Sequence, residues 1–120
     1  MNERNGKPFD LEDRTFEFAQ ARRAFIKKLP RTVGNIEDVR QFVRSSGSIG
    51  ANYIEANEAI GKKDFLMKIR TCRREAKETR YWLRLIETGP ALAKERDSLV
   101  TEAGELMNIF GAIVRKSENQ

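Results

Sequence analysis

Apolar residues recur along this chain at alternating spacings of three and four, and no stretch shows the strict alternation of a half-buried strand. Pro8, Pro30 with Gly34, Gly61, and the cluster Thr88-Gly89-Pro90 divide the pattern into four long segments. The first, from about Asp10 to Leu29, has Asp10 as N-cap and Glu12 and Asp13 in the first turn, where the helix dipole favours them. Leu11, Thr15, Phe18, Phe25, Ile26 and Leu29 lie on one side, with Ala19 at the edge, and Pro30 stops the helix. The second runs from about Asn35 to Ile60, with Asn35 and Asp38 resembling a capping box. Its seam is Ile36, Val39, Val43, Ser46, Gly50, Tyr53, Asn57 and Ile60, widened by Phe42, Ile49 and Ala56. Tyr53 and Asn57 are expected to face inward. The middle, SSGSIGAN, is poor in helix formers, yet the seam crosses it unbroken, so one helix is expected. Small residues at Ser46, Gly47, Gly50 and Ala51 would let a neighbouring helix come unusually close.

The third segment spans about Lys62 to Glu87, with a seam of Phe65, Ile69, Cys72, Ala76, Thr79, Leu83 and Ile86. Gly89 suits the left-handed residue after a helix, and Pro90 can begin the next. The fourth runs from about Ala91 to Lys116 on Leu92, Leu99, Ala103, Leu106, Phe110 and Ile113, flanked by Val100, Met107 and Val114. Four helices of this length with short connections make an all-α, antiparallel up-down-up-down four-helix bundle. The bundle is expected over residues 10–116, with a flexible N-terminus at 1–9 and a frayed C-terminus at 117–120.

Composition narrows the chemistry. Histidine is absent from the 120 residues, which excludes Ser-His-Asp and Cys-His nucleophile systems, histidine metal sites and the Glu-x-x-His di-iron pattern. One cysteine, Cys72, excludes an internal disulfide, and its place on the seam makes it a small buried hydrophobe. No apolar run approaches a membrane span, and the polar N-terminus lacks the apolar core of a signal peptide. A soluble cytoplasmic protein is expected.

Charge adds a direction. The chain carries +5 overall. Residues 61–88 alone carry a local +5, against +3, −2 and −1 for residues 1–31, 32–60 and 89–120. Arg70, Arg73, Arg74, Lys77, Arg80 and Arg84 fall within an arc of about 120° on the third helix, away from its seam. The six form a phosphate-tracking stripe for RNA or DNA, or else a solvated face with internal ion pairs such as Arg74 with Glu78. Arg22, Arg23, Lys27 and Lys28 of the first helix could extend the stripe. Met67, Trp82 and Leu85 mark another flank of the third helix, read as a subunit interface or as a widened core. Arg44, Ser48, Asn52 and Glu55 make a polar ladder on the second helix that could pair with Arg73, Arg80 or Glu75, or with another subunit. Glu55, Glu75 and Glu78 are the only carboxylates that suggest a catalytic alternative.

The stretch from Arg44 to Ala56, RSSGSIGANYIEA, and that from Asp64 to Glu87 carry a family resemblance. The chain resembles the bacterial four-helix bundle proteins found as reading frames in intervening sequences of large-subunit ribosomal RNA genes. The matching residues are Ser45, Ser46, Ser48, Gly50, Ala51, Asn52 and Glu55, then Phe65, Glu75, Glu78, Tyr81, Trp82 and Leu83. Asn57-Glu58-Ala59 departs from the glycine that many relatives place soon after the Glu. The resemblance covers roughly residues 10–115. It implies a ring, typically a homopentamer, with no established enzymatic activity; no cofactor is expected. A related branch, the accessory proteins of diversity-generating retroelements, implies a basic barrel that binds a reverse transcriptase and nucleic acid. Two expectations follow: a homo-oligomeric, non-enzymatic bundle that binds nucleic acid through the stripe, or a protein–protein adaptor such as a reverse-transcriptase accessory subunit.

Overall fold

The computed structural model describes residues 10–120. Within them lie four helices, α1 (Leu11–Ile26), α2 (Val33–Asn57), α3 (Lys62–Leu85) and α4 (Pro90–Glu118). The flexible segment expected at residues 1–9 lies outside the described residues. Each helix packs on the next, and α1 closes the bundle against α4, so α1 and α3 stand diagonally opposite. No described helix is long and apolar enough to cross a membrane.

Local chemistry sets the helix ends. Asp10 accepts from the Asp13 amide at 3.2 Å. Gly61 and Gly89 precede α3 and α4 at φ 84° and 73°, a region that disfavours a side chain, and Pro90 supplies the first residue of α4. α1 ends at Ile26, before the expected Leu29, because the residue ahead of Pro30 is driven from the helical region. The chain leaves α1 through turn bonds from the Lys28 and Leu29 amides, and Leu29 still reaches the core.

Asn35 is not the cap of α2. Thr32 takes that role, accepting from the Asn35 amide at 3.1 Å. The Asn35 side chain is buried and joins two connections at one end of the bundle. Its Nδ2 donates to the carbonyls of Pro30 and Glu87, at 3.0 and 2.7 Å, and its Oδ1 accepts from the Glu87 amide at 2.9 Å.

The burial of α2 is rotated from the expected seam. Phe42, Ile49 and Ala56, expected to widen the face, are its centre, while Ile36, Val43 and Asn57 are exposed and Ile60 lies beyond the helix. The reason is that α2 serves two neighbours. Ser46 and Gly50 meet α1, where a Cβ on Gly50 would stand 3.1 Å from the Thr15 hydroxyl. Ser45 and Ile49 meet α3, where the Thr79 hydroxyl donates to Ser45 Oγ at 2.9 Å and Cys72 Sγ lies 3.5 Å from the Ile49 carbonyl. The most buried line falls between them. Tyr53 is half-buried against Phe110, with ring centroids 6.0 Å apart.

The α3 seam is buried from Ile69 to Ile86, with Leu66 added and Phe65 partly covered. Cys72 is fully buried, and desolvation pushes its thiol up to about 12. α4 runs through Glu118, past the expected fraying point. Glu118 pairs with Arg70, and Lys62 Nζ donates to the Gln120 carbonyl at 2.9 Å, so α3 holds the last turn.

Replacing Asn35 with Ala removes three part-buried hydrogen bonds that join the two connections, so it should cost about 1–3 kcal/mol. Urea unfolding followed by helical circular dichroism measures it. An unchanged midpoint would contradict the bridging role.

Candidate nucleic-acid interface

The amphipathic pattern of α3 leaves most of its circumference to solvent, and the cations occupy the side turned toward α4. Arg70, Arg73, Arg74, Lys77 and Arg84 are exposed, and Arg80 is half-buried. The six do not behave alike. Arg70 is neutralised by Glu118. Arg74 lies 3.8 Å from Glu75, its neighbour in sequence, and not on the expected Glu78. Arg73, Lys77 and Arg80 line a groove of about 220 Å³ between α3 and α4, together with Met107, Asn108, Gly111 and Arg115. That groove holds four cations and no carboxylate.

Two glycines of α4 shape it. A Cβ on Gly104 would meet Arg80 Nη1 at 3.6 Å. A Cβ on Gly111 would meet Arg115 Nη1 at 3.4 Å and Arg73 Nε at 3.8 Å. The guanidinium groups therefore lie along the α4 backbone, and two of them approach the same point above Gly111. Like charges held together without a counter-ion repel, and an anion in the groove relieves that repulsion. Arginine presents a planar fork of donors suited to phosphate oxygens. Arg84 remains exposed farther along α3.

The other candidates fall elsewhere. Of the polar ladder of α2, Ser48 and Asn52 are joined, with Asn52 Nδ2 donating to the Ser48 carbonyl and hydroxyl, both at 2.9 Å. The ladder does not meet Arg73 or Arg80, which lie on the α4 side of α3. Glu55 instead pairs with Lys68 at 2.7 Å. Arg44 acts on Glu75, whose carboxyl is raised by burial first and by Glu78 next, against the lowering pull of Arg74 and Arg44. Among the described residues no group of three or more Asp, Glu or Cys could hold a metal ion.

The basic residues of α1 do not extend the stripe, because α1 stands across the bundle from α3. Lys28 pairs with Glu95 at 2.7 Å, and Arg22 is buried. On the other flank of α3, Met67 and Leu85 are exposed, whereas Trp82 is half-buried against the core and meets Tyr81 edge to face at 5.1 Å. Met67 and Leu85 are roughly 27 Å apart along the helix, so they do not form one compact patch.

Sequence reasoning missed Arg115. A signal existed: Gly104 and Gly111 stand seven residues apart on one face of α4, with Arg115 one turn beyond Gly111. Nothing in the pattern said that this face would lie beside the arginines of α3.

A model of the 23S rRNA-intervening sequence protein family matches residues 9–112. The chain belongs to that family. The resemblance carried by Arg44–Ala56 and Asp64–Glu87 thus extends over nearly the whole chain. This family member is also similar to a solved structure, a protein of unknown function from the S23 ribosomal protein family of Bacteroides thetaiotaomicron. The two are 28% identical, with 88% of this chain and 98% of that one covered, and the TM-score is 0.73. No curated protein matches the chain.

Gly104→Ala tests the packing along α4. The new methyl sits at ordinary contact distance from Arg80 and improves helix propensity, so stability should rise by about 0.5–1 kcal/mol. A fall in the thermal midpoint would show that Arg80 needs a closer approach than the geometry gives.

Proposed function

We propose that this member of the 23S rRNA-intervening sequence protein family is a non-enzymatic, self-associating four-helix bundle that binds nucleic acid by its phosphate backbone. The observation that carries the reading is the groove of Arg73, Lys77, Arg80 and Arg115, which gathers four cations with no acidic side chain among its lining residues. Arg84 continues the track, while Arg70 and Arg74 contribute less because each has a carboxylate nearby. A groove lined by cations and one amide supplies donors for phosphate oxygens and little to read a base edge. The binding is therefore electrostatic and tolerant of sequence. The family's association by name with 23S rRNA makes RNA the first probe.

Fluorescence anisotropy with a labelled RNA hairpin, and with duplex DNA of equal length, tests the reading. Wild-type affinity should fall steeply with salt, and neutralising Arg80 should reduce the log–log slope by about 0.7–0.9. The triple reversal Arg73→Glu, Arg80→Glu, Arg115→Glu should abolish binding and retain the helical spectrum. Unchanged binding by that triple variant, or no wild-type binding at about 50 mM salt, would overturn the reading. Recovery of an acidic protein partner after nuclease treatment, with no RNA affinity, would favour an adaptor instead.

A further inference from the structure

Tyr81 stands among the cations of α3 without belonging to the core. Successive helical residues turn by about 100°, so the six cations span an arc of about 120° from Arg80 to Arg74. Tyr81 falls inside that arc, about 20° from Arg74 and about 40° from Lys77, on the side turned away from the seam. Along the helix axis it sits about 6 Å past Lys77 and about 4.5 Å before Arg84. Its side chain is 56% exposed and lies outside the core cluster. Among the described residues its hydroxyl makes no hydrogen bond.

The exposed ring is nonetheless held. Trp82 is half-buried against the core and meets Tyr81 with 81° between the ring planes. Contact with an anchored indole restricts the phenol ring, so little freedom is lost when a flat partner lies on it. The surrounding cations decide which flat partner fits. Lys77 belongs both to the turn below Tyr81 and to the groove that Arg73, Arg80 and Arg115 line without a carboxylate. A ligand that covers the ring and the groove together must carry a flat face and repeated negative charge. Nucleotides joined by phosphates carry both, and every base has a face to stack. A duplex presents only base edges in its grooves and keeps its faces stacked inside. An unpaired strand leaves those faces open.

We infer, resting on the proposed nucleic-acid binding, that Tyr81 is a stacking platform for an unpaired base of a single strand whose phosphates follow the cations of α3 and the α3–α4 groove. The substrate class is thereby single-stranded nucleic acid, or an unpaired loop within a folded one. Stacking reads no base edge, so the preference is for unpaired bases and not for a sequence. The groove holds the backbone, Lys77 joins groove to platform, and the ring supplies the contact that a duplex cannot use.

Fluorescence anisotropy on the full-length protein tests this with three labelled probes: an unstructured RNA strand of about 12 nucleotides, the same strand annealed to its complement, and an abasic strand of equal length. The abasic strand keeps the phosphates and removes every stacking face. Wild type should bind the base-bearing strand about 5- to 100-fold more tightly than the abasic one. Tyr81→Leu should lose that advantage, with abasic and duplex affinities and the helical spectrum unchanged. Tyr81→Phe keeps the ring and drops a hydroxyl that bonds to nothing, so it should bind as wild type does. A wild type that binds the base-bearing and abasic strands equally overturns the inference whatever the variants do, and leaves the proposed backbone binding standing. Unchanged single-strand affinity in Tyr81→Leu, or an equal loss for the abasic strand, likewise overturns it. No wild-type binding to any probe at about 50 mM salt, even where an acidic protein partner is found, overturns the nucleic-acid reading and the inference with it.

Discussion

The bundle depends on a close approach in the middle of α2, where small side chains stand in the place of large ones. Gly50 lets Thr15 of α1 come to a distance that a methyl group would strain, and Ser45 takes a hydrogen bond from Thr79 of α3. Polar groups at such depth are tolerable because each finds a partner close by. The Ser46 hydroxyl donates to the Phe42 carbonyl and accepts from Arg22, and the Ser45 hydroxyl that accepts from Thr79 donates to the Phe42 carbonyl at 3.3 Å. Phe42 and Ile49 supply the apolar mass between those contacts, and Phe25 meets the edge of Phe42 at 6.5 Å. A stretch poor in helix formers stays helical because tertiary contacts on two sides outweigh its intrinsic propensity.

The same arrangement divides the charge. Carboxylates of α4 hold α1 in place by pairing with Arg14 and Lys28, and Glu118 holds Arg70 at the far end. The remaining cations of α3 face a strip of α4 that offers glycine and an amide in place of acid. A chain of modest net charge thus presents a strongly cationic groove. Net charge alone would have missed this, because acidic and basic residues are nearly balanced and differ chiefly in which of them meet.

The four helices were legible because the core-facing seam of α3 and most of that of α4 obey the helical period without interruption, and glycine and proline mark their borders. Asn35 was misread as a cap because its residue type and spacing suit one. Its actual partners, the Pro30 and Glu87 backbones, are 5 and 52 residues away. The α2 seam was set too far toward α1, since periodicity reports where apolar residues cluster and not which of two neighbours they meet. Of the site, the arginines of α3 were legible as a stripe, but their division into paired and unpaired cations was not.

By itself, the sequence determined an all-helical bundle, the positions of its breaks, an inert cysteine and the concentration of positive charge on α3. These follow from local spacing and composition, which act within one helix. Only the tertiary structure decided that Arg115 joins Arg73 beside Gly111, that Glu55 turns to Lys68, and that Arg22 is buried with its Nε unpaired. Those outcomes depend on how one helix is rotated against the next, and a rotation of one residue exchanges a solvated charge for a buried one.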